Sequence, residues 1–218
     1  MTKSIKMLIT LFVIASMVAA PAWAAGGKVR GDNAAGPAGD TGQGLVNTNR
    51  GDSNGNNYLV PGTLSEGEVA EILYIRQEEK LARDVYLALY SHYESDPLLA
   101  QIFLNISNSE QRHMEAVKKL IDKYGLTDPV ADDTQGVFPD SEEDFGSLYI
   151  LLVEQGKASY CEALEVGIFI ENTDIDDIEF ALADATSPDV IRVFTNLVNG
   201  SYNHLNAFTN RTELNCRQ

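Results

Sequence analysis

The 218 residues are enough for one folded domain with tails, because domains usually run about 100–200 residues. With 16 basic against 32 acidic residues the net charge is −16, which argues against nucleic-acid binding and against adhesion to anionic lipid, both of which need Lys and Arg. Only two cysteines, Cys161 and Cys216, are present, so thiolate-cluster metal sites are excluded.

Residues 1–24 have the form of a secretory signal. Lys3 and Lys6 give a basic start, Met7 to Ala20 is apolar, and Ala22-Trp23-Ala24 is a small-x-small cleavage site. The apolar run falls short of the roughly 20 residues that span a bilayer, so cleavage is expected rather than stable anchoring. The product is expected to be periplasmic or secreted. Its charge would be −18, since losing the two lysines leaves 14 basic against 32 acidic residues. Residues 25–63, rich in Gly, Asn, Asp and Ala, lack apolar periodicity and read as a disordered linker. Two Arg-Gly-Asp tripeptides at Arg30 and Arg50 are short enough to recur by chance. Asp52-Ser53-Asn54-Gly55-Asn56 lacks the closing Glu of a calcium loop.

Residues 64–211 read as a helical bundle, followed by a tail at 212–218. Ser65 and Glu68 form a capping box opening a first helix that ends near Glu94. Asp96-Pro97 opens a second helix, which runs to Tyr124 and stops at Gly125. A polar connection follows, with a short helix expected between Ser141 and Glu154. A third long helix is expected from near Lys157 to about Ala185. Ser187-Pro188 then caps a fourth, which runs to about Arg211. No strand pattern is legible, so the fold class is all-α. Short turns make the first two long helices antiparallel neighbours, and likewise the last two. The long connection between the pairs can cross the length of the bundle.

Core-facing residues recur at spacings of three and four. The first helix gives Ile72, Ile75, Glu79, Ala82, Tyr86, Leu89 and Tyr93. The second gives Phe103, Ile106, Glu110, His113, Val117, Leu120 and Tyr124. The third long helix gives Cys161, Leu164, Ile168, Glu171, Ile175, Ile178 and Leu182, and the fourth Val190, Phe194, Leu197, Ser201, His204 and Phe208. Each stripe turns polar only near its middle. Counted from the turns, Glu79 lies level with Glu110 and Glu171 with Ser201. Three buried carboxylates without a lysine or arginine on any stripe would consume much of a typical stability of about 5–15 kcal/mol. Two divalent cations would set four positive charges against these three negative ones, and carboxylate oxygen with imidazole nitrogen suits iron, manganese or zinc. Glu79, Glu110, His113, Glu171 and His204 are therefore the candidate metal ligands. Glu78 is a rival to Glu79, because a shift of one residue still gives a plausible stripe. His92, in the last turn of the first helix, suits the helix dipole and is assigned no function.

Glu110-Gln111-Arg112-His113 is a Glu-x-x-His motif, and Glu79 is followed seven residues later by Tyr86. Together these resemble the ferritin and rubrerythrin superfamily. More narrowly, the segments Gln77–Tyr86, Ser109–Met114 and Gly200–Leu205 look like an uncharacterised ferritin-like family that carries only a domain-of-unknown-function label. The resemblance implies a ferritin-like four-helix bundle with a long crossover between its second and third helices. It implies Glu79 and Glu171 as terminal or bridging ligands, Glu110 with His113 on one metal and His204 on the other. Ser201 stands where that pattern has a second Glu, and Asp174, one turn beyond Glu171, could compensate in part. Tyr86 could hydrogen-bond a ligating carboxylate.

The equal-level geometry also brings Cys161 near Cys216, and a disulfide tying the tail to the third long helix is expected. The function expected is that of an exported non-haem dinuclear metal protein, iron foremost, with oxidase or peroxidase activity toward Fe²⁺ or peroxide. The alternative is a non-enzymatic envelope protein that uses the scaffold for partner binding or structure. A haem or mononuclear zinc protein is weaker, because His113 and His204 are the only suitable imidazoles. Oligomeric state is not legible.

Overall fold

Five helices account for nearly all regular structure in a computed structural model that describes residues 63–140 and 143–216, and no strand occurs among these residues. The signal-like segment, the two Arg-Gly-Asp tripeptides and nearly all of the expected linker lie outside the described residues.

Helix α1 (Glu66–Tyr93) begins with the expected capping box. Ser65 Oγ accepts from the Glu68 N–H, and Glu68 Oε2 accepts from the Ser65 N–H. Helix α2 (Pro97–Tyr124) has Asp96 as N-cap and Pro97 at its first position, and ends on Gly125 at φ 67°, a left-handed conformation that suits glycine. Helix α3 (Phe145–Ala158) starts and ends about four residues later than its polarity suggested, because Asp144 caps it and Ser159 closes it. Ser159 also caps α4 (Tyr160–Asp184), which therefore starts at Tyr160 rather than Lys157. Helix α5 (Pro188–Asn215) continues past Arg211, so that Thr212, expected in a tail, is buried.

Ser187 does not cap α5 with its side chain. Glu68 on α1 does related work instead. Its Oε1 accepts from the backbone N–H groups of Ser187 at 2.7 Å and Thr186 at 2.9 Å, binding the α4–α5 turn to the start of α1. No local pattern could show this, because the partners are over a hundred residues apart.

Helices α1, α2, α5 and α4 pack in a ring, and α3 lies against α1 and α4. Glu79 meets His113 and Tyr93 meets Phe103, so α1 and α2 run antiparallel. Tyr86 meets Glu171 and Tyr74 meets Asp177, so α1 and α4 are antiparallel as well. Consequently α2 and α4 run the same way, and the chain between them must travel the length of the bundle.

That crossover explains why α1 is buried on every side from Tyr74 to Tyr86. Two faces meet α2 and α4, and a third is covered by the connection. Arg76 pairs with Asp128 and donates to the Met114 carbonyl. Lys80, 0% exposed, pairs with Asp84 at 2.5 Å and donates to the Thr134 carbonyl. Arg83 bridges Asp84 and Asp133, and the Gly136 N–H donates to Asp84. Each buried base thus has acidic and carbonyl partners, as burial of charge requires.

Candidate metal centre

The polar middles of the four stripes meet. His113 Nδ1 lies 2.7 Å from Glu110 Oε2 and 3.2 Å from Glu79 Oε2. His204 Nδ1 lies 2.7 Å from Glu110 Oε1 and 3.4 Å from Glu171 Oε2. The two imidazole rings are stacked with centroids 5.5 Å apart. Glu79, Glu110 and Glu171 are at most 2% exposed, whereas the side chains of His113 and His204 keep 12% and 10% of their surface at the edge of the core.

Two triads of potential ligand atoms result, Glu79–Glu110–His113 and Glu110–Glu171–His204, each with its atoms within 4.8 Å of one another. Glu110 belongs to both. It offers one oxygen to each histidine, so a single carboxylate links the two triads. The equal-level count could not foresee this sharing, since it gave depth but not direction across the bundle.

Whether the residues fit a metal can be tested on their unsatisfied atoms. Glu79 Oε1, Glu110 Oε1 and His204 Nδ1 are buried without a hydrogen-bond partner. Glu110 Oε1 and His204 Nδ1 are close, yet they are not aligned to bond each other. Buried polar groups almost always find a partner, so a concentration of orphans at one point marks a place that an ion would satisfy. The donor set is carboxylate and imidazole, which fits iron, manganese or zinc.

Electrostatics agrees. Burial pushes Glu79 up to about 8, although His113 pulls it back. Burial and the charge of Glu110 push Glu171 up to about 7, against the effect of His204 and Tyr86. Burial acts on Glu110 too, but two flanking imidazoles outweigh it and hold that carboxyl at about 2. Burial disfavours the charged imidazoles, yet neighbouring carboxylates raise His113 to about 11 and His204 to about 10. Acidic groups forced together in low dielectric share protons in this way unless cations replace them.

The remaining expected residues divide. Tyr86 OH donates to Glu171 Oε1 at 2.6 Å and is fully buried, so it fixes that carboxylate. Ser201 donates to Asp174 Oδ2, while Asp174 Oδ1 has no partner. Glu78 does not join His113. It sits near Asp177 and Asp174, a second group of buried acids, and itself lines a mostly apolar cleft with Leu81, Phe145, Phe169 and Thr173. Tyr74 donates to Asp177 at 3.1 Å there. Sequence reasoning missed this group, although Asp174 and Asp177 fall one and two turns beyond Glu171 on a buried face. It also missed Gly200, where a Cβ would lie 2.5 Å from His113 Nε2. The absence of a side chain there makes room for the imidazole.

Cys161 and Cys216 are joined by a disulfide across Cα atoms 5.7 Å apart, linking the start of α4 to the end of α5. His92 stays at the C-terminal end of α1, edge-on to Tyr93 and far along the helix from this centre.

Fold and site together define an all-helical bundle with a buried carboxylate–imidazole cluster contributed by four helices. Residues 68–218 match the family described as "Uncharacterized protein domain (DUF2202)", and the chain belongs to that family. A relative, Uncharacterized protein MJ0754 of Methanocaldococcus jannaschii, is 47% identical over 145 residues, which cover 66% of this chain and 75% of the relative. The crystal structure of hypothetical protein MJ0754 from Methanococcus jannaschii is similar, with a TM-score of 0.64 at 45% identity, covering 69% of this chain and 82% of that one.

Proposed function

We propose that this protein is an exported, ferritin-like non-haem metal-binding protein with a dinuclear centre, iron foremost, and oxidase or peroxidase activity toward Fe²⁺ or peroxide. The observation that carries the reading is the pair of buried triads sharing Glu110, with orphaned donor atoms converging on them. The ferritin-like reading is supported by the ring of α1, α2, α5 and α4 with a crossover between α2 and α4. Export is supported by the signal-like residues 1–24 and by the disulfide, since such bonds persist mainly in oxidising compartments.

In this reading Glu79 and His113 would hold one ion and Glu171 and His204 the other, with Glu110 available to both. Tyr86 orients Glu171, and the apolar layers of Ile72, Ile75, Phe194 and Phe208 above and below exclude bulk water. Bound iron would supply one-electron redox chemistry toward dioxygen or peroxide; manganese or zinc would supply Lewis acidity.

Elemental analysis of protein purified from its own host tests the reading. Two equivalents of iron, lost in the Glu171→Ala and His204→Ala variants, is the expected result. A second reading, a non-enzymatic envelope protein on the same scaffold, is favoured by one observation, the serine at 201 where a ligating carboxylate would serve a redox centre. Native-source protein without metal would support it.

A further inference from the structure

We propose that Asp174 is the fourth carboxylate of the centre, held toward it by the Ser201 hydroxyl, so that α4 supplies the acid that α5 lacks. This rests on the dinuclear reading above and names a further ligand of that site.

Helical spacing comes first. Glu171 and Asp174 stand three residues apart on α4, as Ser201 and His204 do on α5, so each pair occupies one helix face. Because the helices are antiparallel, Asp174 lies level with Ser201 just as Glu171 lies level with His204. The position that loses a carboxylate on one helix is therefore matched by one that gains it on the neighbour.

The hydrogen bonding is one-sided. Ser201 is 0% exposed, and its Oγ reaches both Asp174 Oδ2 and the Leu197 carbonyl at 3.1 Å. A hydroxyl has one proton, and the carboxylate is the stronger acceptor. That bond fixes Oδ2 and leaves Oδ1, which has no partner although Asp174 is only 5% exposed.

Charge completes the argument. The groups that bear most strongly on Asp174 are Glu79, Glu171 and Glu110, all acidic and all in the proposed centre. Three carboxylates facing two divalent cations leave a net positive charge in a buried site, and a fourth makes it neutral. Four carboxylates and two imidazoles is also the donor count of dinuclear carboxylate bundles. Here the fourth arrives by a different helix.

The full chain, stripped by chelation, is titrated with Co²⁺ and followed by calorimetry and by cobalt ligand-field absorption. Wild type should take up two equivalents. Asp174→Asn should keep the first and weaken the second at least about tenfold, with changed absorption for that ion. Ser201→Ala, which keeps the carboxylate but releases it, should shift the same step in the same direction by less. Two equivalents in wild type with unchanged affinity and spectrum in Asp174→Asn overturn this assignment alone. Should Asp174→Asn fail to fold, an unchanged second step in Ser201→Ala overturns it equally. Uptake of no cobalt, or of one equivalent, by wild type overturns the dinuclear reading and this assignment together.

Discussion

Glu110 occupies an unusual electrostatic position among the buried residues. It stays ionised at the centre of a bundle because two imidazoles flank it, while Glu79 and Glu171, each with fewer favourable neighbours, are pushed toward protonation. With His113 raised to about 11 and His204 to about 10, both imidazoles carry protons at neutral pH when no cation competes. An ion that takes their lone pairs must release those protons. Metal affinity is therefore expected to rise with pH and to fall on acidification, and calorimetry in buffers of different ionisation enthalpy should show proton release on binding. Gly200 makes a separate claim. A methyl group there would meet His113 Nε2 at 2.5 Å, so Gly200→Ala should move the imidazole and weaken metal binding about tenfold or more. Thermal unfolding of the chelated variant should change little, because the displaced ring is at the edge of the core.

Among the elements, α1 organises the rest. Its acidic stripe faces the centre, its basic residues face the crossover, and its first turn holds the α4–α5 connection. Glu68 does this last task. Burial alone would raise its pKa, but the N–H groups of Ser65, Ser187 and Thr186 bring it down to about 2 from the ordinary 4.5. A lowered carboxyl stabilises the fold above its ordinary pKa, and that contribution is lost as pH falls toward the folded value. Glu68→Ala should therefore cost about 2 kcal/mol at neutral pH, and the gap from wild type should close between pH 4.5 and 2 in denaturant titrations. On the opposite face, Lys80→Ala would leave Asp84 buried with one fewer partner and the Thr134 carbonyl with the Val137 N–H as its remaining donor. A loss of about 3 kcal/mol is expected, with metal stoichiometry unchanged, since the network belongs to the crossover.

Across the whole bundle, the disulfide closes a loop with a sequence separation of 55 between the start of α4 and the end of α5. Loop-closure entropy of that size contributes on the order of 4 kcal/mol. Reduction, or replacement of both cysteines by serine, should lower the melting temperature by roughly 10 °C without dispersing the cluster, which lies near the middle of the helices. The order of the helices and most of their caps were legible because caps, prolines and periodicity are local. The end of α5 was not, since its last turn is held by Thr212 burial and the disulfide rather than by any stop signal. Within the site, Glu79 and His113 were legible as polar breaks in apolar stripes, but the role of Glu78 was not. Helical phase around one residue cannot separate adjacent acids when the helix is buried on all sides.

By itself, the sequence determined that the described chain is helical, where its long helices turn, and that acids and imidazoles share one depth in an apolar interior. Those properties depend on rise per residue and on spacing along a single helix, which a linear chain carries in full. Tertiary structure decided that Glu110 serves both histidines, that Glu78 turns to a different acidic group, and that Asp174 leans on Ser201. It also decided that Arg76, Lys80 and Arg83 are buried against the crossover instead of reaching solvent. These are choices of direction around a helix axis and of partner across the bundle. They are settled by which helices become neighbours and by the desolvation each charge must then have answered.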